Sequence, residues 1–461
     1  MPLLRSITGR YIPKLYKHST CTSTNLINTY NSSYNHLNGR SIGSTAGGVG
    51  EQYDKINSQY QQAVLLHKHG SARNVMSIDT IPIPQCHSHE LLIKILAISI
   101  NPLDSMNVNG YNYGINSVVQ SMPYILGREC CGVVVGVGDS ILTYNHGDIV
   151  WCSIDPLSNG CFSQYVIVAP NEVSHAPSTL DIISMSALPF SITTVWSALV
   201  SIGRLGPVKG NNSAPPLSRN YGPTLIAETE NILAQLSNYQ IPILPNLTDS
   251  SYTVDRPYRV FIHGGSGSIG TFAVQLLKLW GHEVIVTAHP SHHDRMVELG
   301  CDHVIDYTRH SWLSAFPVGS IDIFLDGVGG HHVEAQAEAL QVKHFITLRG
   351  DLVNYVDKYG ISNGILSGVS ELIHKKLHWM TLYGSRYDWA INRPTYGALQ
   401  YATLMANQTK NIPNSSPQPG LQPFVDLDAN LRGLNDVITA IELMQNGKAR
   451  NGKLVVELID E

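Results

Sequence analysis

The sequence lacks any apolar run long enough to cross a membrane. Its longest, Leu91 to Ile100, is already broken by Lys94 and Ser99, whereas a spanning helix needs roughly 18 residues or more. It also lacks an excess of positive charge: 30 lysines and arginines stand against 35 aspartates and glutamates, a formal net charge of -5. That balance gives no electrostatic footing for nucleic acid or an anionic membrane surface. Paired cysteines are missing as well. Cys21, Cys86, Cys130, Cys131, Cys152, Cys161 and Cys301 are scattered, odd in number and contain no C-x-x-C, so neither a disulfide framework nor a four-thiolate zinc site fits them. Free thiols in a reducing compartment are expected. Finally, no Asp or Glu occurs before Glu51, although Arg5, Arg10, Lys14, Lys17 and Arg40 do. A basic, hydroxyl-rich, acid-free leader over residues 1–50 has the composition of a mitochondrial transit peptide, and without a long apolar core it does not read as a secretory signal.

What is present is ordinary globular material: 461 residues, 43% of them hydrophobic, with room for two or three domains. Short β-branched runs at Gln62–His67, His89–Ile100, Cys131–Gly138, Gly147–Ile154 and Gly160–Ala169, separated by Gly, Pro, Asn and Asp, predict a β domain over 60–195 without intervening helices until Ile183–Ile202. From Tyr258 onward, strands and helices alternate, which is the pattern of parallel βαβ units. A nucleotide domain is therefore expected over 256–400. The stretch 421–461 offers one helix and a closing strand (Lys453–Leu458) that return to the β domain. Gly206–Asp255 and Asn407–Gly420 are rich in Pro, Asn and Ser and read as surface insertions.

The strongest local signal is His263-Gly264-Gly265-Ser266-Gly267-Ser268-Ile269-Gly270. A strand, Arg259–Ile262, leads in and an amphipathic helix leads out, which is the context that a dinucleotide turn requires. The first glycine of G-x-G-x-x-G permits the tight turn, the second lets a pyrophosphate approach the backbone, and the third allows close helix–strand packing. Gly265 and the amides of Ser266, Gly267, Ser268 and Ile269 are thereby the expected phosphate cradle at the positive end of a helix. At the tip of the second strand, where a carboxylate would bind the ribose 2′-hydroxyl of NAD, the sequence reads Thr287-Ala288-His289, followed by Pro290, Ser291, His292, His293 and Arg295. A hydroxyl- and base-rich tip suits a 2′-phosphate, so NADPH is the expected cofactor. His289 is assigned to it, with a solvated surface histidine as the alternative.

Further motifs support a family reading. Ile100-Asn101-Pro102-x-Asp104, Leu126-Gly127-Arg128-Glu129-x-x-Gly132-Val133, Gly147-Asp148-x-Val150-Trp151 and Val304-Ile305-Asp306-Tyr307 resemble the medium-chain dehydrogenase/reductase superfamily, in its zinc-free quinone-oxidoreductase branch. The resemblance extends over about residues 60–461, apart from the insertions. It implies an α/β fold in which a GroES-like β-rich catalytic domain precedes a Rossmann domain with a doubly wound parallel sheet. It also carries cofactor contacts onto Tyr307, Gly327 and Leu348, and onto Lys448, Ala449 and Arg450 near the C-terminus; a solvated basic turn is the alternative for the last group. Zinc-dependent members need a Cys or Asp, and a His, where this chain has Asn101 or Pro102, and Arg128. An arginine is permanently protonated and ligates no cation, so no metal is expected.

Quinones and enones accept a hydride without a metal, because the charge delocalises onto their own oxygen. Reduction of such substrates by NADPH in the mitochondrial matrix, with a place in ubiquinone metabolism, is what the resemblance implies. Asn101, Asp104 and Tyr111 are the expected substrate-side residues, with turn-capping as the alternative for Asn101; no general acid is assigned. The resemblance leads to a mitochondrial subgroup named for its interaction with reticulons. The competing reading is therefore an NADPH-binding scaffold that engages a reticulon-like membrane protein and turns over little. A homodimer is compatible with either.

Overall fold

The computed structural model describes residues 58–215, 217, 253–309, 315–410, 418–449 and 451–458. The leader 1–50, most of the 206–255 insertion, much of the 407–420 insertion and Arg450 lie outside the described residues. No helix among the described residues is long and apolar enough to cross a membrane.

The N-terminal half is built on strands that bury one another's β-branched side chains. β1 (Tyr60–Leu66) pairs antiparallel with β2 (Met76–Pro82). β3 (Leu91–Ser99), β5 (Glu129–Val137), β6 (Ile149–Ser153) and β8 (Val173–His175) follow one another as antiparallel neighbours, while β4 (Tyr124–Ile125) joins β1 and β7 (Tyr165–Val168) joins β3. The strand expected over Gly160–Ala169 shrinks to β7. Residues 160–162 instead give their N–H groups to Ile125, Gly127 and Leu126, and Gly160 lies so close that a Cβ there would fall 2.1 Å from the Leu126 oxygen.

The expectation of a helix-free β domain is corrected. α1 (Pro102–Val108) and α2 (Tyr113–Val119) interrupt it. Pro102 at the first helical position needs no hydrogen-bond partner for its nitrogen, and the Asp104 carboxylate accepts the Asn101 N–H at 2.8 Å. Short polar residues that suggested a turn thus supply a helix start.

α3 (Ile182–Ser186) and α4 (Pro189–Val195), the latter running on as a π-helix over Trp196–Ile202, lead into the second half. There β9 (Arg259–His263), β10 (Glu283–Ala288), β11 (His303–Asp306), β12 (Ile323–Asp326), β13 (His344–Thr347) and β14 (Arg386–Trp389) form a parallel sheet in the order β11-β10-β9-β12-β13-β14. This is a doubly wound arrangement, and the strand order reverses between β9 and β12. In such sheets ligands sit in the crevice at that point, beyond the C-terminal strand ends. α5 (Ser268–Trp280), α6 (His293–Glu298), α7 (His331–Ala339), α8 (Leu352–Tyr359), α9 (Ile361–Tyr383) and α10 (Tyr396–Asn407) accompany these strands. One face of the sheet shares a core with α4, the π-helix and α10; the other buries a separate cluster around Phe324, Phe345 and Trp379.

The chain then goes back. α11 (Gly433–Gln445) packs into the β-domain core through Val437, Ala440 and Ile441. The strand Val455–Glu457 lies antiparallel against Ala97–Ser99 of β3.

Candidate cofactor and substrate site

β9 delivers the chain to the crevice, and Gly264 turns it with a φ of +89° that glycine adopts without strain. Each later glycine has its own spatial reason. A Cβ on Gly265 would stand 2.4 Å from Val286 Cβ, and one on Gly270 would stand 2.5 Å from both the Gly264 and the Gly265 oxygens. Gly267 differs: its nearest neighbour would be the Gly264 oxygen at 3.5 Å, and its φ of -72° suits any residue. Nothing in the fold calls for glycine there, since the side that a Cβ would occupy is open apart from that oxygen. Ser268, Ile269 and Gly270, in the first turn of α5, donate no backbone hydrogen bond to the turn below them. Their N–H groups are the unsatisfied donors at the start of a helix, carrying its partial positive charge. Room for a phosphate and donors to hold it are therefore both present, and the residues fit a dinucleotide.

The expected contacts gather on the same edge. Tyr307 follows the end of β11 and is 54% exposed. Gly327 follows β12, its N–H donating to the His263 oxygen at 3.1 Å. Leu348 follows β13, its N–H donating to the Asp326 oxygen at 2.9 Å. With Gly265, Ser266, Gly267, Ser268, Ile269 and His289 they line the C-terminal ends of β9 to β13. Lys448 is exposed and Ala449 half-buried on the turn after α11, and no hydrogen bond joins either of them to the glycine turn.

The strand tip proves more particular than its composition. His289 caps a short 3-10 helix, its Nδ1 bonding the Ser291 hydroxyl at 2.8 Å. Arg295 is turned away: it donates to the Pro423 oxygen at 3.0 Å and lies 4.2 Å over the Phe424 ring. That base is therefore withdrawn from the tip. Asp306 is the strand partner of Ala288, but its carboxylate already accepts the Thr308 hydroxyl at 2.6 Å and N–H at 2.8 Å. The Thr308 hydroxyl, above all, holds it ionised below the usual carboxylate range.

On the β-domain side, a buried polar node takes the place of a pocket lining. Lys453, on the C-terminal return, donates to Asn101 Oδ1 at 2.8 Å and forms an ion pair with Glu129. Asn101 Nδ2 donates to Glu129 Oε1 at 2.7 Å, and the Phe190 N–H at the start of α4 donates to Glu129 Oε2 at 2.9 Å. Asn101 is buried, and its amide spends one N–H on Glu129 and its oxygen on Lys453, so its first role is within the node. Beside the node, burial raises the Asp104 carboxyl to about 6. Arg128 is also buried and donates to the Asp155 and Ser158 oxygens, both at 2.9 Å. Cys130 and Cys131 belong to different cores. Among the described residues, no group of three or more His, Cys, Asp or Glu is placed to hold a metal ion.

Two contacts cross the crevice. The Asp357 carboxylate on α8 accepts the N–H of Asn112 at 2.8 Å and of Gly114 at 2.7 Å. Arg349, beyond β13, reaches Met106 on α1. Neither Lys453 nor Arg349 was expected as a site residue. The Gly-Lys pair after Arg450 was a usable signal for the first; the second has no local motif.

With this geometry in place, the comparisons are direct. Residues 87–178 match the alcohol dehydrogenase GroES-like domain. The chain is 26% identical to the mitochondrial NAD(P)H oxidoreductase RTN4IP1 of Danio rerio over 414 residues, which is 87% of this chain and 92% of that protein. It is 27% identical to the Homo sapiens protein of the same name over 350 residues, 72% and 76% of the two chains. Among solved structures, the quinone oxidoreductase of Coxiella burnetii superposes with a TM-score of 0.61 at 20% identity, covering 87% of this chain and all of that one; at that identity the likeness is one of fold.

Proposed function

We propose, on the premise that the chain is a medium-chain dehydrogenase/reductase, that it is a mitochondrial NADPH-dependent oxidoreductase that reduces quinones or enones without a metal. The observation that carries this reading is the turn at Gly267, open on its Cβ side and backed by unpartnered amides, in a chain whose mitochondrial relatives are named NAD(P)H oxidoreductases. When bound, the cofactor supplies a hydride. The chain's own part is to hold that cofactor in place. The amides of Ser266, Ser268 and Ile269 bind the pyrophosphate, with Gly265 shaping the turn and the Gly267 N–H spent on the Gly264 oxygen. His289, Ser291 and Tyr307 surround the adenosine end, and His289 Nε2 is the donor left for a 2′-phosphate. Gly327 and Leu348 form the floor at the other end, and the Asp357 carboxylate ties Asn112 and Gly114 to α8 at one side. Lys448, Ala449 and Arg450 are assigned to the phosphates from the family motif alone.

The test is purified protein with NADPH and a panel of quinones and enones, followed by loss of reduced-nicotinamide absorbance. Saturable turnover is expected, with NADPH bound at least about tenfold more tightly than NADH, a difference of about 1.4 kcal/mol. Tight NADPH binding with no turnover of any acceptor favours the scaffold reading instead. That reading draws on α9, whose outward side carries Leu366, Ile373, Leu377 and Met380, each more than half exposed, a face suited to a membrane-protein partner of the reticulon kind. For location, residues 1–50 fused to a reporter are expected to carry it into mitochondria; a fusion that stays cytosolic removes that part of the proposal.

A further inference from the structure

Arg349 stands where the sheet opens into the crevice, and its base is rigidly held. Its N–H donates to Thr347 Oγ1 at 3.0 Å, and that hydroxyl donates to Asp326 Oδ2 at 2.9 Å. The other oxygen of Asp326 accepts the N–H groups of Val328 and Gly329 at 3.0 and 2.8 Å. The arginine stem lies along Gly329, where a Cβ would come within 2.7 Å of Arg349 Cγ. From there the guanidinium crosses to α1 and meets Met106 Sδ at 3.2 Å.

A thioether is a weak acceptor for a planar fork of five donors. Several arginines of the chain have carboxylates, as Arg256 has Asp322, Arg259 has Glu283 and Arg73 has Glu442, and Arg128 and Arg295, which have none, donate to backbone oxygens. Arg349 has no carboxylate within 4.0 Å among the described residues. Tyr111 shares its surroundings; burial raises the Tyr111 hydroxyl, the charge of Arg349 draws it down, and Asp357 and Asp351 raise it again. Arg349 is exposed, but its stem and backbone are held, and its guanidinium stands without an ion pair among the described residues at the C-terminal edge of a doubly wound sheet, against the substrate-side helix, where negative charge on a ligand can meet it.

We infer that Arg349 is the catalytic residue that takes the negative charge arising on the substrate's carbonyl oxygen during reduction. This rests on the quinone or enone reading. In that reaction two electrons and one proton arrive together as hydride and form a bond on the conjugated acceptor. Its π electrons move onto the oxygen, leaving an enolate or phenolate, and the second proton comes from water. The guanidinium meets that oxygen. Position argues against the cofactor's pyrophosphate as the anion instead: β13 lies two strands from β9, about 10 Å at the usual strand spacing, and on the opposite side of the turn from β10 and His289.

The experiment uses the full chain with NADP+ bound. The probe is 2-hydroxy-1,4-naphthoquinone, an anion at neutral pH, against neutral 1,4-naphthoquinone, both titrated calorimetrically into wild type, Arg349→Met and Arg349→Lys. The methionine variant is expected to bind the anion at least about tenfold more weakly, and to bind the neutral quinone within about twofold of wild type; titrated separately without NADP+, it binds NADPH within about twofold of wild type. Lysine recovers part of the loss, since it restores charge without the fork. In turnover, the methionine variant loses kcat more than it raises KM, as removal of an interaction made chiefly with the reduced oxygen requires. Equal binding of the anion by Arg349→Met and wild type overturns the inference, as does failure of wild type to bind the anion. A loss of NADPH affinity as large as the loss of anion affinity overturns it too, by assigning Arg349 to the cofactor's phosphates. Absence of turnover with Arg349-dependent anion binding sinks the quinone reading while the anion site stands.

Discussion

Lys453→Met is expected to lower the unfolding free energy by about 3–5 kcal/mol, the usual cost of stripping one partner from a buried ion pair. The side chains of Lys453 and Glu129 are 3% and 0% exposed, so water does not replace the missing ammonium. Methionine fills the volume of the lysine stem but supplies no charge. Glu129 would keep its bonds from Asn101 and Phe190, yet both donors are neutral, and a carboxylate in that interior is costly without a cation. The double variant Glu129→Gln/Lys453→Met removes both charges and is expected to be much less destabilised than the sum of its single changes, which is the signature of direct coupling. Denaturant midpoints at constant slope measure this. A loss below about 1 kcal/mol in Lys453→Met would show that the pair is of little consequence to stability.

The second large effect separates two glycines only three residues apart. Gly267→Ala is expected to weaken NADPH binding on the order of 100-fold, about 2.7 kcal/mol, at little cost in stability. Its backbone is already in a region open to alanine and its Cβ meets only one oxygen, at 3.5 Å; the methyl group intrudes on the cofactor's side. Gly270→Ala is expected to lose stability as well, by about 1–3 kcal/mol. Its Cβ would press on two carbonyl oxygens at 2.5 Å, so the helix and the turn must part. Thermal unfolding without ligand, read beside fluorescence titration with NADPH, distinguishes them. If Gly267→Ala binds NADPH like wild type, the phosphate does not lie over this turn.

The glycine turn was legible in the sequence because its causes are local. A strand, three glycines and a helix start fall within a dozen residues, and each spacing reflects a contact inside that span. β9 and β10 were legible for the same reason: their β-branched runs end where the chain turns. α8 and α9 were not. Glycine is a poor helix former, yet Gly364 and Gly368 permit close crossing of two helices, since a Cβ would fall 2.3 Å from Val356 Cα and 2.7 Å from Leu352 Cδ1. The node at Glu129 was hidden by distance. Asn101 and Lys453 lie 352 positions apart, and only the return of the chain makes Asn101 a partner of Lys453 rather than a free amide. Arg349 was hidden by its neighbour, because its environment is set by Met106 across a crevice that no spacing rule describes.

The return strand Val455–Glu457 has a consequence for how the molecule is made. It covers the edge of β3 at Ala97–Ser99 and brings Lys453 to Glu129. A ribosome that has already released the β domain's own strands has therefore not released the means to finish that domain. The nucleotide sheet, whose strands all lie between Arg259 and Trp389, is complete in sequence first. The half of the protein synthesised earliest is thus the last to be complete in sequence, with Glu129 translated long before its partner Lys453.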